Sequence, residues 1–105
     1  MQKKSYLKEI SISSTQQRFG TTKVKKDVEK IQSWLTLFAM QNSNAGTATG
    51  IDGDFGPATE QAVINFQKAK GLPQNGIVDQ NLFDVLTLPL QKAFENTILG
   101  NNLRE

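Results

Sequence analysis

Two aspartates that stand one residue apart, Asp52 and Asp54, are the side chains of this chain best suited to chemistry. A calcium loop of the EF-hand type needs further oxygen ligands and a glutamate at its twelfth position. Glycoside hydrolysis needs two carboxyl groups at a set separation across a bound sugar. The segment fits neither pattern, so we predict that these carboxylates accept hydrogen bonds from turn N–H groups and favour the positive end of the following helix. We expect no catalytic residue, no metal and no cofactor.

The composition narrows the chemistry further. The chain has 105 residues, no cysteine, no histidine and a formal net charge of +2. It therefore lacks imidazole and thiolate metal ligands, disulfides, and the Ser-His and Cys-His pairs of covalent catalysis. Its length suits one domain with one modest core. We expect a non-catalytic domain, although composition alone leaves carboxylate chemistry open.

Charge is distributed unevenly along the chain. Residues 1–30 carry eight basic and three acidic side chains, whereas the remainder carries four basic and seven acidic ones. Two interpretations stay open: a solvated tail and helix face, or a surface that steers the chain toward a polyanion. The first residues are basic but have no apolar stretch behind them, so we predict no secretory signal. No run reaches the ~20 apolar residues of a membrane span.

Apolar periodicity and turn residues predict three helices. Their spans are Lys23 to about Met40 after an N-cap at Thr22, Pro57 to about Lys70, and a third helix that Asp79 caps and Pro89 ends. The predicted buried faces are Val24, Val28, Ile31, Leu35 and Phe38 in the first, Ala58, Ala62, Val63, Phe66 and Ala69 in the second, and Leu82, Phe83, Val85 and Leu86 in the third.

The predicted fold is mostly α: a small three-helix bundle with long loops and an extended polar lead-in. Very short strand pairs are expected at Ile51 and at 77–78, and no internal repeat is apparent. We divide the chain into a lead-in at 1–19, a domain at 20–88 and a short C-terminal helix or linker at 89–105. The lead-in anchors are expected to be Tyr6, Leu7, Ile10, Ile12 and Phe19.

The stretch that begins at Asp52 resembles the pattern of a known family. It reads Asp52-Gly53-Asp54-Phe55-Gly56-Pro57-Ala58-Thr59 and continues through Ala62-Val63 and Phe66-Gln67 to Gly71-Leu72 and Gly76-Ile77-Val78. This pattern is similar to that of the three-helix peptidoglycan-binding domain of bacterial and phage cell-wall hydrolases. Upstream, Val28, Ile31-Gln32 and Leu35 resemble the first helix of that family. The chain departs from the pattern at Asp79, where the family often has glycine, and at Leu82-Phe83, where it often has Thr-Trp.

The resemblance implies a non-catalytic module that binds peptidoglycan at the bacterial cell wall and targets an attached hydrolase, such as an endolysin. The expected partners are peptidoglycan and an attached catalytic domain. We expect a monomer and no nucleic acid partner. The alternative is a structural or protein–protein interaction domain of a phage or secreted protein. The predicted ligand-binding residues are Asp52, Asp54, Phe55, Thr59, Asn75 and Asn81.

Four of the motif residues allow two interpretations each. Phe55 is expected in the core rather than as a sugar-stacking surface, and Thr59 is expected to pack or cap rather than to bind ligand. Gln32 and Gln67 either brace a loop or face a wet groove, because a buried amide must satisfy several hydrogen-bonding groups. The sequence does not choose between these two roles.

Overall fold

A computed structural model describes residues 8–20 and 22–93, and this part of the chain is mostly helical. Its elements are α1 (Lys25–Gln41), a 3₁₀ turn (Ser43–Ala45), α2 (Pro57–Ala69) and α3 (Gln80–Leu86). Residues 8–9 and 88–93 are also helical. The predicted small helical bundle is therefore confirmed. No helix of the described residues is both long and apolar enough to cross a bilayer.

Helix α1 begins two residues later than the sequence predicts. Its apolar positions Val28, Ile31 and Leu35, spaced three and four apart, are fully buried and form one stripe against the core. Its N-cap is Val24, which makes no side-chain cap, so the predicted cap at Thr22 is wrong. The backbone N–H of Val24 donates instead to the Gln16 side chain at 3.1 Å.

Helix α2 has the predicted start and stop signals. Pro57 occupies the first turn, where its missing N–H costs nothing, and Gly71 follows the helix with a φ of +68°. The N–H of Leu72 closes the end by donating to the carbonyl of Gln67 at 2.8 Å. Ala58 and Ala69 were expected on the buried face but are exposed, because they lie at the two ends of the helix where the core stops.

Helix α3 is capped as predicted but ends earlier. The Asp79 carboxylate accepts from the N–H of Leu82 at 2.8 Å. The helix stops at Thr87, whose buried hydroxyl donates to the carbonyl of Phe83 at 2.9 Å. Pro89 was expected to end it, but lies instead inside the helical residues 88–93, near their start. The expected short C-terminal helix or linker at 89–105 lies outside the described residues from Phe94 onward.

The core receives side chains from all three helices and from the two turns that precede α2 and α3. Phe55 and Val78 are the turn contributions, and Phe66 packs edge-on against Phe38 with ring centroids 4.9 Å apart. The buried apolar residues are Val28, Ile31, Leu35, Phe55, Ala62, Val63, Phe66, Val78, Leu82, Phe83 and Leu86.

The lead-in is pinned to the helices by polar contacts. Gln16 is fully buried and forms an antiparallel bridge with Val78, in which each N–H donates to the other's carbonyl at 2.9 Å. Of the two expected short pairs, the one at 77–78 therefore forms with the lead-in, and Ile51 forms no bridge among the described residues. The buried carboxylate of Asp27 accepts from the N–H and the hydroxyl of Ser13 at 2.9 and 2.7 Å.

Apolar contacts of the lead-in are fewer than expected. Ile12 packs against the core, but Phe19 is 70% exposed and is not an anchor. Tyr6 and Leu7 lie outside the described residues. The division of the chain at residue 20 stays a prediction.

Candidate ligand-binding site

The turn that begins at Asp52 is held by one buried side chain from α1. The Gln32 amide oxygen accepts from the backbone N–H groups of Asp52 and Gly53 at 3.0 and 2.9 Å. Its amide nitrogen donates to the Asp52 carboxylate at 3.0 Å, the Asp54 carbonyl at 3.0 Å and the Thr59 hydroxyl at 2.9 Å. Gln32 is 1% exposed, so these bonds replace those that water would otherwise make. Of its two predicted roles, Gln32 therefore braces the loop.

Glycine is required at the centre of this turn. Gly53 has a φ of +78°, which side chains with a Cβ rarely adopt. A Cβ at this position would also collide with the side chain of Lys25 at the start of α1. The Asp-Gly pair therefore lets the turn lie directly against α1, within reach of Gln32.

The Asp52 carboxylate closes the turn, as predicted. Its Oδ1 accepts from the backbone N–H of Asp54 at 3.0 Å in addition to the bond from Gln32. The hydrogen bond from the Asp54 N–H lowers the pKa of Asp52 most, and the one from Gln32 lowers it next. Partial desolvation raises the pKa, whereas the residue's own N–H and the nearby Lys25 charge lower it further. Asp52 is thus held in its charged form at the surface of the domain.

A second turn, before α3, repeats this arrangement. The Gln67 amide oxygen accepts from the N–H groups of Asn75 and Gly76, both at 3.0 Å. Its amide nitrogen donates to the Asn75 side-chain oxygen at 2.8 Å, and that oxygen also accepts from the N–H of Ile77 at 2.9 Å. Gln67 is 3% exposed, so it too braces a loop.

The two turns form an internal repeat, which the sequence analysis missed. Each turn begins with an Asp or Asn, and a glycine with positive φ comes next. Counted from that Asp or Asn, a buried apolar residue stands three positions later and a helix starts five positions later. The sequence signal for this repeat was an apolar residue followed by Gln in each of two helices, with Asp-Gly or Asn-Gly further along the chain. The repeat is difficult to recognise because the loops between these two parts differ in length. The matched positions are Gln32 and Gln67, Asp52 and Asn75, Gly53 and Gly76, and Phe55 and Val78.

Three of the six predicted ligand-binding residues lie together. Asp52, Asp54 and Thr59 all contact Gln32, and the two aspartates are exposed. Thr59 is 2% exposed, and its hydroxyl also lies 3.4 Å from that of Thr49.

Of the other three predicted residues, Phe55 belongs to the same turn but points into the core, and the two asparagines lie outside that turn. Phe55 is 4% exposed and belongs to the core. Asn75 holds Gln67, which lies eight residues beyond Thr59 on α2, or about 12 Å of helix. Asn81 is exposed in the first turn of α3. The described residues bring no three acidic, histidine or cysteine side chains close enough to hold a metal ion.

An apolar groove that the sequence analysis did not find lies between the C-terminal half of α1 and the residues after α3. It encloses about 620 Å³, and its lining includes Trp34, Leu37, Phe38, Met40, Leu88 and Pro89, with Lys70 and Lys92. Leu37 and Met40 are 49% and 76% exposed. Their position off the core stripe of α1 was the available signal, since apolar residues there have no core to face.

Comparison with known families decides the identity of the fold. Residues 24–86, which are 63 of the 105 residues, match the family described as "Putative peptidoglycan binding domain". The chain belongs to this family. The match begins at the N-cap of α1 and ends with α3, so it includes both glutamine-braced turns. No curated protein is similar enough to this chain to count as a match.

Membership confirms the resemblance read from the motif. The chain is a peptidoglycan-binding module, and a module of this family binds rather than catalyses. A peptidoglycan-binding domain acts at the cell wall. The choice of Asp52, Asp54, Phe55, Thr59, Asn75 and Asn81 as ligand contacts stays a prediction.

Replacing Gln32 tests whether its side chain holds the Asp52 turn in place. Gln32→Ala leaves the part-buried N–H of Asp52 and the buried N–H of Gly53 without their acceptor, so we expect the free energy of unfolding to fall by roughly 2–4 kcal/mol. Gln67→Ala should cost a similar amount. Urea denaturation measures both, and Gln61→Ala on the exposed face of α2 is the control, with an expected change within about 0.5 kcal/mol. Equal stability of all three variants would contradict the claim that Gln32 and Gln67 stabilise their turns.

The lowered pKa of Asp52 predicts a pH-dependent contribution to stability. A carboxyl whose pKa is depressed by folding contributes stability that is present above its ordinary value of 3.8 and is lost as the pH falls through the folded pKa. Asp52→Asn keeps an acceptor oxygen, as Asn75 does in the second turn, so the variant should fold. Its stability deficit relative to wild type should shrink as the pH falls from 7 to 3, measured by denaturant titration. A deficit that is constant over this range would contradict the assignment.

Proposed function

We propose that this module delivers an attached cell-wall hydrolase, such as an endolysin, to peptidoglycan. The observation that carries the proposal is the family match across α1, α2 and α3, in a chain that has no histidine and no cysteine for chemistry of its own. The wall is a polymer of repeated epitopes. A weak site is therefore enough, because binding raises the local concentration of a tethered catalytic domain.

The Asp52 turn is the proposed polar contact with the wall. Asp52 and Asp54 are exposed, and Gln32 holds both residues in one conformation before any ligand arrives. Such preorganisation lowers the entropic cost of binding hydroxyl and amide groups. Thr59 and Phe55 support the turn from beneath, through the hydrogen bond to Gln32 and through the core.

The start of α1 supplies a second, weaker attraction in this proposal. Lys23, Lys25 and Lys26 are exposed there. Anionic wall polymers would be attracted to this cluster over about 8–10 Å at physiological salt, so that part of the affinity should fade as salt is added. We propose that the module acts as a monomer, with multivalency supplied by the wall.

The alternative function is docking of a protein partner. The exposed apolar side chains of Leu37 and Met40 beside the groove favour it, since contiguous apolar surface often marks an interaction site.

Fusion to a hydrolase tests the proposed function. A catalytic domain without wall affinity of its own, joined to this chain, should release muropeptides from insoluble peptidoglycan faster than the same domain alone at low enzyme concentration. In the fusion, Asp54→Asn should weaken wall binding about three- to tenfold, the equivalent of about one hydrogen bond. The Asp54 carboxylate makes no hydrogen bond among the described residues, so this variant should fold.

Asp84→Asn is the matched control, because it removes one negative charge from an exposed aspartate on α3 and should leave binding unchanged. Sedimentation of the chain with insoluble peptidoglycan separates the two functions. A chain that stays in solution like an unrelated protein, and a fusion no faster than the free catalytic domain, would rule out wall targeting in favour of a protein partner.

A further inference from the structure

The apolar groove has the size and lining of a ligand site. Its volume of about 620 Å³ lies within the range of about 300–1,000 Å³ typical of small-ligand pockets. The lining is mostly apolar and includes the indole of Trp34, with few polar groups. A groove of this kind suits a short chain with small apolar groups rather than a heavily hydroxylated sugar.

The charges of the groove are of one sign. Among the described residues that line it, Lys70 and Lys92 are charged and none is acidic. No described carboxylate forms an ion pair with either lysine. The Lys70 ammonium lies 5.0 Å from the centroid of the Phe38 ring, so it is held over the apolar floor. The groove is therefore complementary to an anion with apolar substituents.

This charge argues against a second copy of the chain as the occupant. Two grooves facing each other across a two-fold axis would bring four lysines together without an acidic partner from the groove. Like charges at an interface are destabilising.

We propose that the groove binds the stem peptide of peptidoglycan, with its carboxylates on Lys70 and Lys92 and its alanine methyl groups against Trp34 and Leu88. This assignment rests on the proposed peptidoglycan-binding function and specifies which part of the polymer the groove binds. A stem peptide is short, carries free carboxylates and has small methyl side chains, which matches the groove in size, charge and polarity.

The groove and the Asp52 turn are separate contacts. Gln32 and Trp34 are two positions apart on α1, so their side chains leave the helix about 200° apart. The glycan strand can therefore meet the turn on one face of α1 while a stem peptide enters the groove on another. A substitution in the groove can therefore remove one contact while the Asp52 turn stays intact, and the reverse also holds.

The fluorescence of Trp34 reports on the groove, because it is the one tryptophan of the chain. The full chain is titrated with synthetic stem tetrapeptides, in diaminopimelate and lysine forms, with the corresponding disaccharide-tetrapeptide, and with glycan strands freed of peptide by an amidase. We expect a saturable change with at least one tetrapeptide and with its disaccharide form, with Kd on the order of 0.1–1 mM, and none with the bare glycan.

Variants assign the response to the groove. Lys70→Gln and Lys92→Gln should each weaken peptide binding about fivefold, the upper range for an exposed ion pair. Lys68→Gln, an exposed lysine of α2 outside the groove lining, should leave it unchanged. Met40→Glu places a like charge beside the bound carboxylate at a 76% exposed position, so it should weaken binding without unfolding the chain. Phe19→Glu is its control, at a 70% exposed position outside the groove lining.

Three results would overturn the proposal. They are a fluorescence response to bare glycan but not to peptide, an equal effect of Lys68→Gln and the groove variants, and self-association of the chain that Met40→Glu abolishes. Sedimentation with insoluble peptidoglycan is measured in parallel. If the chain sediments but no tetrapeptide binds, the stem-peptide assignment fails and the wall-binding function stands; if the chain does not sediment, the function itself fails.

Discussion

A buried side-chain amide must satisfy both its oxygen and its nitrogen, and this requirement determines how the domain is built. Gln32 and Gln67 each meet it by capturing a turn from the loop that follows their own helix. Each bonded turn then ends at a fixed point from which the next helix starts. An unpaired amide of this kind would cost about 1–3 kcal/mol, so the arrangement is favoured strongly over alternatives in which the loop moves away.

The packing of the core follows from these two turns. Phe55 and Val78 occupy equivalent places three residues after each captured Asp or Asn, and both point into the core between the helices. Val78 also holds the lead-in against the domain, through its antiparallel backbone bridge to Gln16. The polar braces and the apolar core are therefore one structure, since the same short segments supply hydrogen bonds on one side and buried side chains on the other.

Much of this fold could be predicted from local signals. The Asp79 cap, the Pro57 start and the Gly71 stop act over a few residues, so the sequence alone revealed them. The residues that needed long-range contacts were harder. Gln16 is buried because it pairs with Val78, some sixty positions away, and nothing near Gln16 in the sequence indicates this. The groove was missed for the same reason, because α1 and residues 88–92 meet only in the fold.

The shape of the two turns depends on how firmly Gln32 and Gln67 hold them, and native-state hydrogen exchange measures this directly. The account predicts that the amide protons of Asp52, Gly53, Asn75 and Gly76 exchange on the order of a hundredfold or more slower than those of Gly50 and Ile51. Gly50 and Ile51 lie next to the first turn, are exposed, and have amides with no hydrogen bond among the described contacts. Exchange of all six amides at similar rates would show that the glutamines do not hold the turns, and would contradict the account.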